Sequence, residues 1–477
     1  MPAISIFGRS QLEGAERIDA EYYQPSYLEL VRVLRQRSCV PLKNTKAKLD
    51  CSAFYPSIAP LYTRKGTPFL RVDDIHDGFV ELTVETAFLP DSILQENLHT
   101  IAHCVAGDIV IAKGGNTIAK AGMLSDDYAK YATGRDLIIL RTDSLSINRF
   151  YLLAYLLSRY GKSLMIRTAS QTGQPHLTLS SLKELAVPLL SRQLQNKIGT
   201  AIVDAWDSFR LAKAKFGKAT DLLLEYAQLQ NWRSSHTLSF NSDFREISSA
   251  GRTDAEHFQT KYKELRKHLQ ALEQGSRLLT DIARNSDEDI DPRVTPDREF
   301  KYVELADINE KLGVIETVNI IRGEEAPSRA RMLLRAGDVI LSTVEGSLDK
   351  AALVSSDYDS AIGSTGFFVL RAKNVETEYL LVLIKSLIVR EQMHCEASGT
   401  ILAAVSPRAL RNIVVPEVTA DVRQNIAALV KESHAEQKKA LLSLEKAKNA
   451  LEVAIEKGED AVLAFPFGRE EGRMGQT

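Results

Sequence analysis

Several residue sets in this chain have types and spacings that could do chemistry. His99 and His103, followed by Cys104, have the spacing of two metal ligands on one helical face. A metalloprotease needs Glu after the first His, where Thr100 stands, and no fourth ligand is in view, so satisfied polar residues are the simpler reading. Glu299-Phe300-Lys301, downstream of Asp281, Asp287 or Asp291, could imitate a nuclease core in which carboxylates hold Mg²⁺ and a lysine helps activate water. Gly114-Gly115-Asn116-Thr117, ahead of Lys120, resembles a phosphate-cradling loop but lacks P-loop spacing and its terminal Lys-Ser/Thr, which favours a glycine-rich turn. Neither a Gly-x-Ser-x-Gly elbow nor the Asn-Pro-Pro-aromatic motif of amino-methylating enzymes occurs. The sequence therefore leads us to expect no catalytic site, no metal and no cofactor.

Polar loops are more informative. Arg167-Thr168-Ala169-Ser170-Gln171-Thr172-Gly173-Gln174-Pro175-His176 gathers groups able to hydrogen-bond base edges or phosphates. An ordinary solvated loop would look the same taken alone. Glu396-Ala397-Ser398-Gly399-Thr400-Ile401 occupies the corresponding place later in the chain, keeping Ser and Thr and replacing the rest.

That correspondence belongs to a duplication. Arg17-Ile18-Asp19-Ala20-Glu21 returns as Arg252-Thr253-Asp254-Ala255-Glu256, and matches continue to Leu34 and Leu269. Ala106-Gly107-Asp108-Ile109-Val110 answers Ala336-Gly337-Asp338-Val339-Ile340, and Lys120-Ala121 answers Lys350-Ala351. Leu140-Arg141 matches Leu370-Arg371, Tyr151-Leu152-Leu153 matches Tyr379-Leu380-Leu381, and Val187-Pro188 matches Val415-Pro416. A period this long means two whole domains rather than a solenoid. The nuclease-like set has no counterpart, since Gly66-Thr67-Pro68 stands at the matching place.

The chain of 477 residues is too long for one core and suits two domains with connectors. Its formal net charge of −2 is silent on nucleic acid, because phosphate binding needs only a local basic surface. No signal peptide or membrane span is expected, and Cys39, Cys51, Cys104 and Cys395 read as reduced thiols of a cytoplasmic protein.

The expected class is α+β, two repeated mixed domains joined by two long antiparallel coiled-coil helices with pseudo-two-fold symmetry. Each copy should open with a helix (Asp19 to Gln36, Asp254 to Leu272). Strands follow at Phe69 to Val72, Gly107 to Ala112 and Leu137 to Arg141, then at Tyr302 to Leu305, Asp338 to Ser342 and Phe367 to Arg371. A further helix (Asn148 to Arg159, Glu376 to Arg390) leads through the polar loop to a last strand ending at Pro188 or Pro416. The boundaries are 1–190 for the first domain, 191–245 for the first long helix and linker, 246–418 for the second domain, 419–460 for the second long helix and 461–477 for a disordered tail.

In the long helices, Ile198, Ile202, Ala205, Phe209, Ala212, Phe216, Ala219, Leu223 and Tyr226 recur in steps of four and three. Ile426, Val430, Ser433, Gln437, Ala440, Leu444, Ala447, Leu451 and Ala454 do the same. Such a heptad seam predicts pairing of the two helices, although each could instead pack on its own domain. Ser433 and Gln437 interrupt it, either to set register or to meet a partner. At ~1.5 Å per residue such a helix reaches about 50 Å, long enough to act as a ruler.

Two diverged domains, each closed by a long helix, with Ala-Gly-Asp-Ile/Val strands and a terminal Val-Pro strand, resemble the specificity subunit of a type I restriction–modification system. The resemblance spans about residues 17 to 457. It implies two target-recognition domains, each reading half of a bipartite double-stranded DNA site, and no catalysis in the chain itself. The partners it implies are methyltransferase (modification) subunits, taken as two, and restriction/translocase subunits. A DNA-modifying or DNA-cutting enzyme with its own site, or a coiled-coil scaffold, are the alternatives. The candidate DNA contacts are Lys113, Asn116, Thr117, Lys120, Gln171, Thr172, Gln174 and His176, with Thr343, Ser347, Lys350, Ser398 and Thr400 in the second copy.

Overall fold

The computed structural model describes residues 12, 17–53, 58–76, 78–83, 86–169, 175–233, 236–399 and 403–463. The chain divides into two compact units, Met1–Asp207 with Lys439–Thr477, and Ser208–Lys438. In unit 1 a six-stranded sheet runs in the spatial order Lys48–Asp50, Leu137–Arg141, Ile109–Ala112, Ala121–Met123, Gly78–Val80, Ile75–His76. A four-stranded sheet has the order Ala87–Leu89, Thr67–Leu70, Tyr131–Thr133, His103–Cys104, and Cys39–Pro41 pairs with Ala186–Pro188. Unit 2 repeats all of this. Its six strands are Ala283–Asn285, Phe367–Ala372, Val339–Ser342, Ala351–Leu353, Val314–Ile315 and Ile308–Asn309. Its four are Asn319–Arg322, Glu299–Val303, Ile362–Ser364 and Ala330–Leu333, and its two are Ser276–Leu278 and Val414–Pro416. Even the parallel pairs fall at matching places, Thr67–Leu70 with Tyr131–Thr133 and Glu299–Val303 with Ile362–Ser364.

The residues shared by the copies are the ones that hold this framework. In Ala-Gly-Asp the glycine takes a left-handed backbone, φ 84° at Gly107 and 89° at Gly337, which side chains with a Cβ resist. The aspartate that follows is buried in both copies. Asp108 accepts from the Val105 and Thr142 amides and faces Arg141, while Asp338 accepts from the Arg335 amide and from Arg371 Nε at 2.9 Å. A buried carboxylate left without such partners would be costly, so Ala-Gly-Asp and Leu-Arg recur together.

Helix boundaries differ from the sequence expectation in one instructive way. The opening helices are shorter, Pro25–Leu34 and Thr260–Gln270, with a 3-10 turn at Ala20–Tyr23 ahead of the first. The central helix of each copy breaks at Ser158 or Ser386 and continues as a second one, giving Arg149–Leu157 then Arg159–Thr168, and Thr377–Lys385 then Leu387–Glu396. Ser158 caps the new helix by accepting from the Gly161 amide. Arg167 and Thr168, read as the start of the first polar loop, and Glu396, read as the start of the second, are therefore the last residues of helices.

The long helices are Arg192–Tyr226 and Ala420–Lys457. Unit 1 holds the beginning of the first and the end of the second, and unit 2 the reverse, so they run antiparallel. The seam residues Ile198, Ile202, Ala205, Ala212, Phe216, Ala219, Leu223, Ile426, Val430, Ala440, Leu444, Ala447, Leu451 and Ala454 are all buried. Phe209 and Tyr226 of the seam are half-buried and pack against the unit 2 core, while Ser208 and Ala227 beside them are enclosed. In unit 2 one core joins Ala212, Phe216 and Leu223 to Ile426 and Val430 and also to Tyr379, Leu381 and Ile384, so the helices pack on each other and on the domain. Ser433 is buried and donates to Ala212 O at 2.7 Å, which makes it a register device between the helices. Beyond them Glu459–Leu463 is helical rather than disordered, with Val462 buried; residues 464–477 lie outside the described residues. No helix among the described residues is long and apolar enough to cross a membrane.

Candidate nucleic-acid interface

In each unit three loops meet at the ends of two adjacent interior strands of the six-stranded sheet. In unit 1 the Lys113 amide donates to Asp136 O at 2.9 Å, and the Leu177 amide donates to Lys113 O at 2.7 Å. In unit 2 the Thr343 amide donates to Gly366 O at 2.8 Å, and the Val405 amide to Thr343 O at 2.8 Å. The strand-end loop, the turn before the next long strand and the polar loop are thus sewn together by equivalent backbone bonds. A 3-10 turn, Gly115–Thr117 or Glu345–Ser347, stands at the centre of each junction.

The side chains on this shared backbone are exchanged. Gly114 bridges to His176, and a Cβ on Gly114 would lie 2.4 Å from His176 Nδ1. In unit 2 the same bridge joins Val344 to Ala404. Small faces large in one copy and large faces small in the other. Gly115 has φ 69°, which the replacing Glu345 does not need. The glycine pair is accounted for by close approach and backbone conformation, as a glycine-rich turn requires.

The repeated Arg-x-Asp that opens each copy anchors the polar loops. Arg17 donates to Thr168 O at 3.2 Å and Ala169 O at 3.1 Å, at the end of the helix that leads into residues 170–174. Arg252 donates to Glu396 O at 3.1 Å and Ala397 O at 2.6 Å, immediately before Ser398. Asp19 and Asp254 grip these guanidinium groups through two bonds each, and the arginine beside each carboxyl holds it below the usual carboxylate range. Cations satisfying the last carbonyls of a helix also oppose its dipole. Sequence reading recognised the repetition of this motif and not its task.

The candidate contacts divide. Asn116, His176 and Ser398 are exposed at the junctions, with Lys113, Thr117 and Thr343 half-exposed. Thr117 and Thr343 hydroxyls bond locally, to Gly114 O and Gly366 O. Ser347 is shared with Ser342 at 2.8 Å. Gln171, Thr172, Gln174 and Thr400 lie outside the described residues. Lys120 and Lys350, equivalent in sequence, differ in surroundings. Lys350 Nζ donates to Leu305 O at 3.0 Å, whereas Lys120 lines a small crevice with Lys162, Leu157, Leu444 and Lys448. In unit 1 a larger cleft of about 660 Å³, lined by Tyr62, Phe69, Arg71, Arg135 and Asp136, shares the junction's turn as a wall.

The metal-like and nuclease-like sets do not assemble. His103 and Cys104 form a strand and His99 sits in a turn, so they share no helical face; burial pushes the Cys104 thiol up and the His103 imidazole down. Among the described residues no group of His, Cys, Asp or Glu is placed to hold a metal ion. Asp281 accepts from the Leu278 amide, Asp291 pairs with Arg293 and Arg331, and Lys301 donates to Asp357 O at 2.7 Å.

No protein-family model matches the chain, and no curated protein matches it. Among solved structures, the HsdS subunit from Thermoanaerobacter tengcongensis is 29% identical over 42% of this chain and 51% of its own, with a TM-score of 0.31. The aligned part thus spans about half the length of that subunit. The S subunit of a type I restriction–modification system from M. genitalium is 14% identical over 88% of this chain and 95% of its own, with a TM-score of 0.38. A chain from a structure of complex assembly in the type I R-M system is 14% identical over 89% and 96%, with a TM-score of 0.28.

Proposed function

We propose that this chain is the DNA-reading specificity subunit of a type I restriction–modification system. Each unit recognises one half of a bipartite duplex site. Modification subunits, two of them, and restriction subunits are directed there and carry out methylation and cleavage, for which this chain supplies no site. One observation carries the reading: a single framework, identical in strand order, is used twice with different side chains at the same three-loop junction. Phosphate contacts fix register and base contacts specify, so shared backbone with exchanged side chains suits two half-sites of different sequence. Lys113 and Lys120 serve phosphates in the first half, and Gln171, Gln174 and His176 face bases. The short hydroxyl residues Thr343, Ser347, Ser398 and Thr400 do so in the second half, where Lys350 serves phosphate. Adenine-methylation mapping in the source cells, with and without this chain, tests the proposal. Its removal should erase methylation at one two-part motif and leave other motifs untouched. A methylation map unchanged by the deletion refutes it.

A further inference from the structure

From the junctions we infer that Arg135 in unit 1 and Arg329 in unit 2 each read a guanine, one in each half-site. This rests on the DNA-reading function proposed above and adds the determinants within it. Arg135 is exposed on the turn between Tyr131–Thr133 and Leu137–Arg141, and the next residue, Asp136, accepts the Lys113 amide at 2.9 Å. That places Arg135 one residue from the bond that joins the three loops. The equivalent turn of unit 2 has Thr365 and Gly366, with no arginine. There Arg329, exposed at the start of the neighbouring strand Ala330–Leu333, accepts the Thr365 amide through its carbonyl at 2.8 Å. Both copies therefore have an exposed arginine at the equivalent turn, Arg135 within it and Arg329 joined to it through its backbone carbonyl, from different places in the sequence. A repeat alignment pairs Arg135 with Thr365 and hides this equivalence.

Guanidinium chemistry selects the base. Its planar fork matches O6 and N7 of guanine, the commonest specific contact in the major groove. The backbone beside each arginine is held by hydrogen bonds, at Asp136 O in unit 1 and at Arg329 O and the Ala330 amide in unit 2, which limits the freedom that a bidentate contact must remove. Both residues are exposed at the surface of their units.

The test is genomic adenine-methylation mapping in the source cells, with chromosomal Arg135→Gln and Arg329→Gln variants of the full chain beside wild type. Arg135→Gln should reduce the preference for guanine on the order of tenfold or more at one position of one half-site. Arg329→Gln should do the same in the other half only. Arg135→Lys and Arg329→Lys should retain part of each preference. An unchanged motif, or a uniform fall in methylation with no change of motif, overturns the assignment while the specificity-subunit reading stands. If wild type and deletion strains have the same map, the reading fails and the assignment with it.

Discussion

Replacing Arg252 by alanine should loosen the base of the second polar loop and destabilise unit 2 by about 2–4 kcal/mol. The guanidinium donates to Glu396 O at 3.1 Å and Ala397 O at 2.6 Å, with a longer bond to Cys395 O at 3.4 Å. Hydrogen bonds to a charged group contribute about 1.5–3 kcal/mol each, and the two short ones count here near the low end because the arginine is partly accessible. Loss of a cation at the helix end removes roughly 0.3–1 kcal/mol more. The ion pair itself adds little, since Asp254 is about half exposed and such pairs contribute about 0–1 kcal/mol. Asp254→Asn should therefore cost about 1 kcal/mol, and the double variant little more than Arg252→Ala alone. Asp254 titrates below its ordinary value, so its share is present at neutral pH and disappears as pH falls through that lowered range. Urea unfolding of the purified full chain, followed by probes in each unit, measures all four proteins. Arg17→Ala should shift the unit 1 transition and leave that of unit 2. A loss below about 0.5 kcal/mol for Arg252→Ala, or a larger one for Asp254→Asn, refutes the anchoring role.

Burial lowers the Lys385 ammonium to about 8, although it donates to the carbonyls of Glu310 and Asp349 beside the Phe216 ring. The folded value lies below the unfolded one, so the unfolded chain binds more protons between them and stability should rise with pH from 8 towards 10. Relative to Lys385→Met, wild type should gain on the order of 2 kcal/mol across that window, and parallel stability curves would contradict it. Gly114→Ala should cost on the order of 1 kcal/mol through the clash with His176. His176→Ala should rescue it, because together they reproduce the Val344–Ala404 type of pairing; a coupling energy near zero in a double-mutant cycle rejects this. Inserting one heptad near Ala212 and another near Ala440 keeps the seam in phase and lengthens the helices by about 10 Å. If these helices set the gap between half-sites, the preferred spacer should grow by roughly three base pairs at ~3.4 Å each, or methylation should be lost; methylation at an unchanged spacing rules out a ruler.

Duplication, the α+β class and the long seam were legible in the chain because each is a pattern in linear sequence. Repeated residues keep their order, and a buried helical stripe recurs every three or four positions whatever it packs against. Strands such as Leu137–Arg141 could be read for the same reason, their apolar run being continuous. What the pattern could not carry was any relation set by distance in space. Gly114 and His176 are far apart in sequence, and only folding shows that one is small because the other is near. Arg17 and Arg252 repeat visibly, yet their partners are backbone carbonyls about 150 residues away, which carry no residue identity to match. Lys120 and Lys350 align in sequence and differ in surroundings, because neighbours from other segments decide what a lysine meets. Arg135 and Arg329 do not align and still reach the same turn, since adjacent strands bring different positions to one edge. Sequence determined which framework was built twice; tertiary contacts decided which side chains stand at its junctions, because those depend on the approach of separate loops.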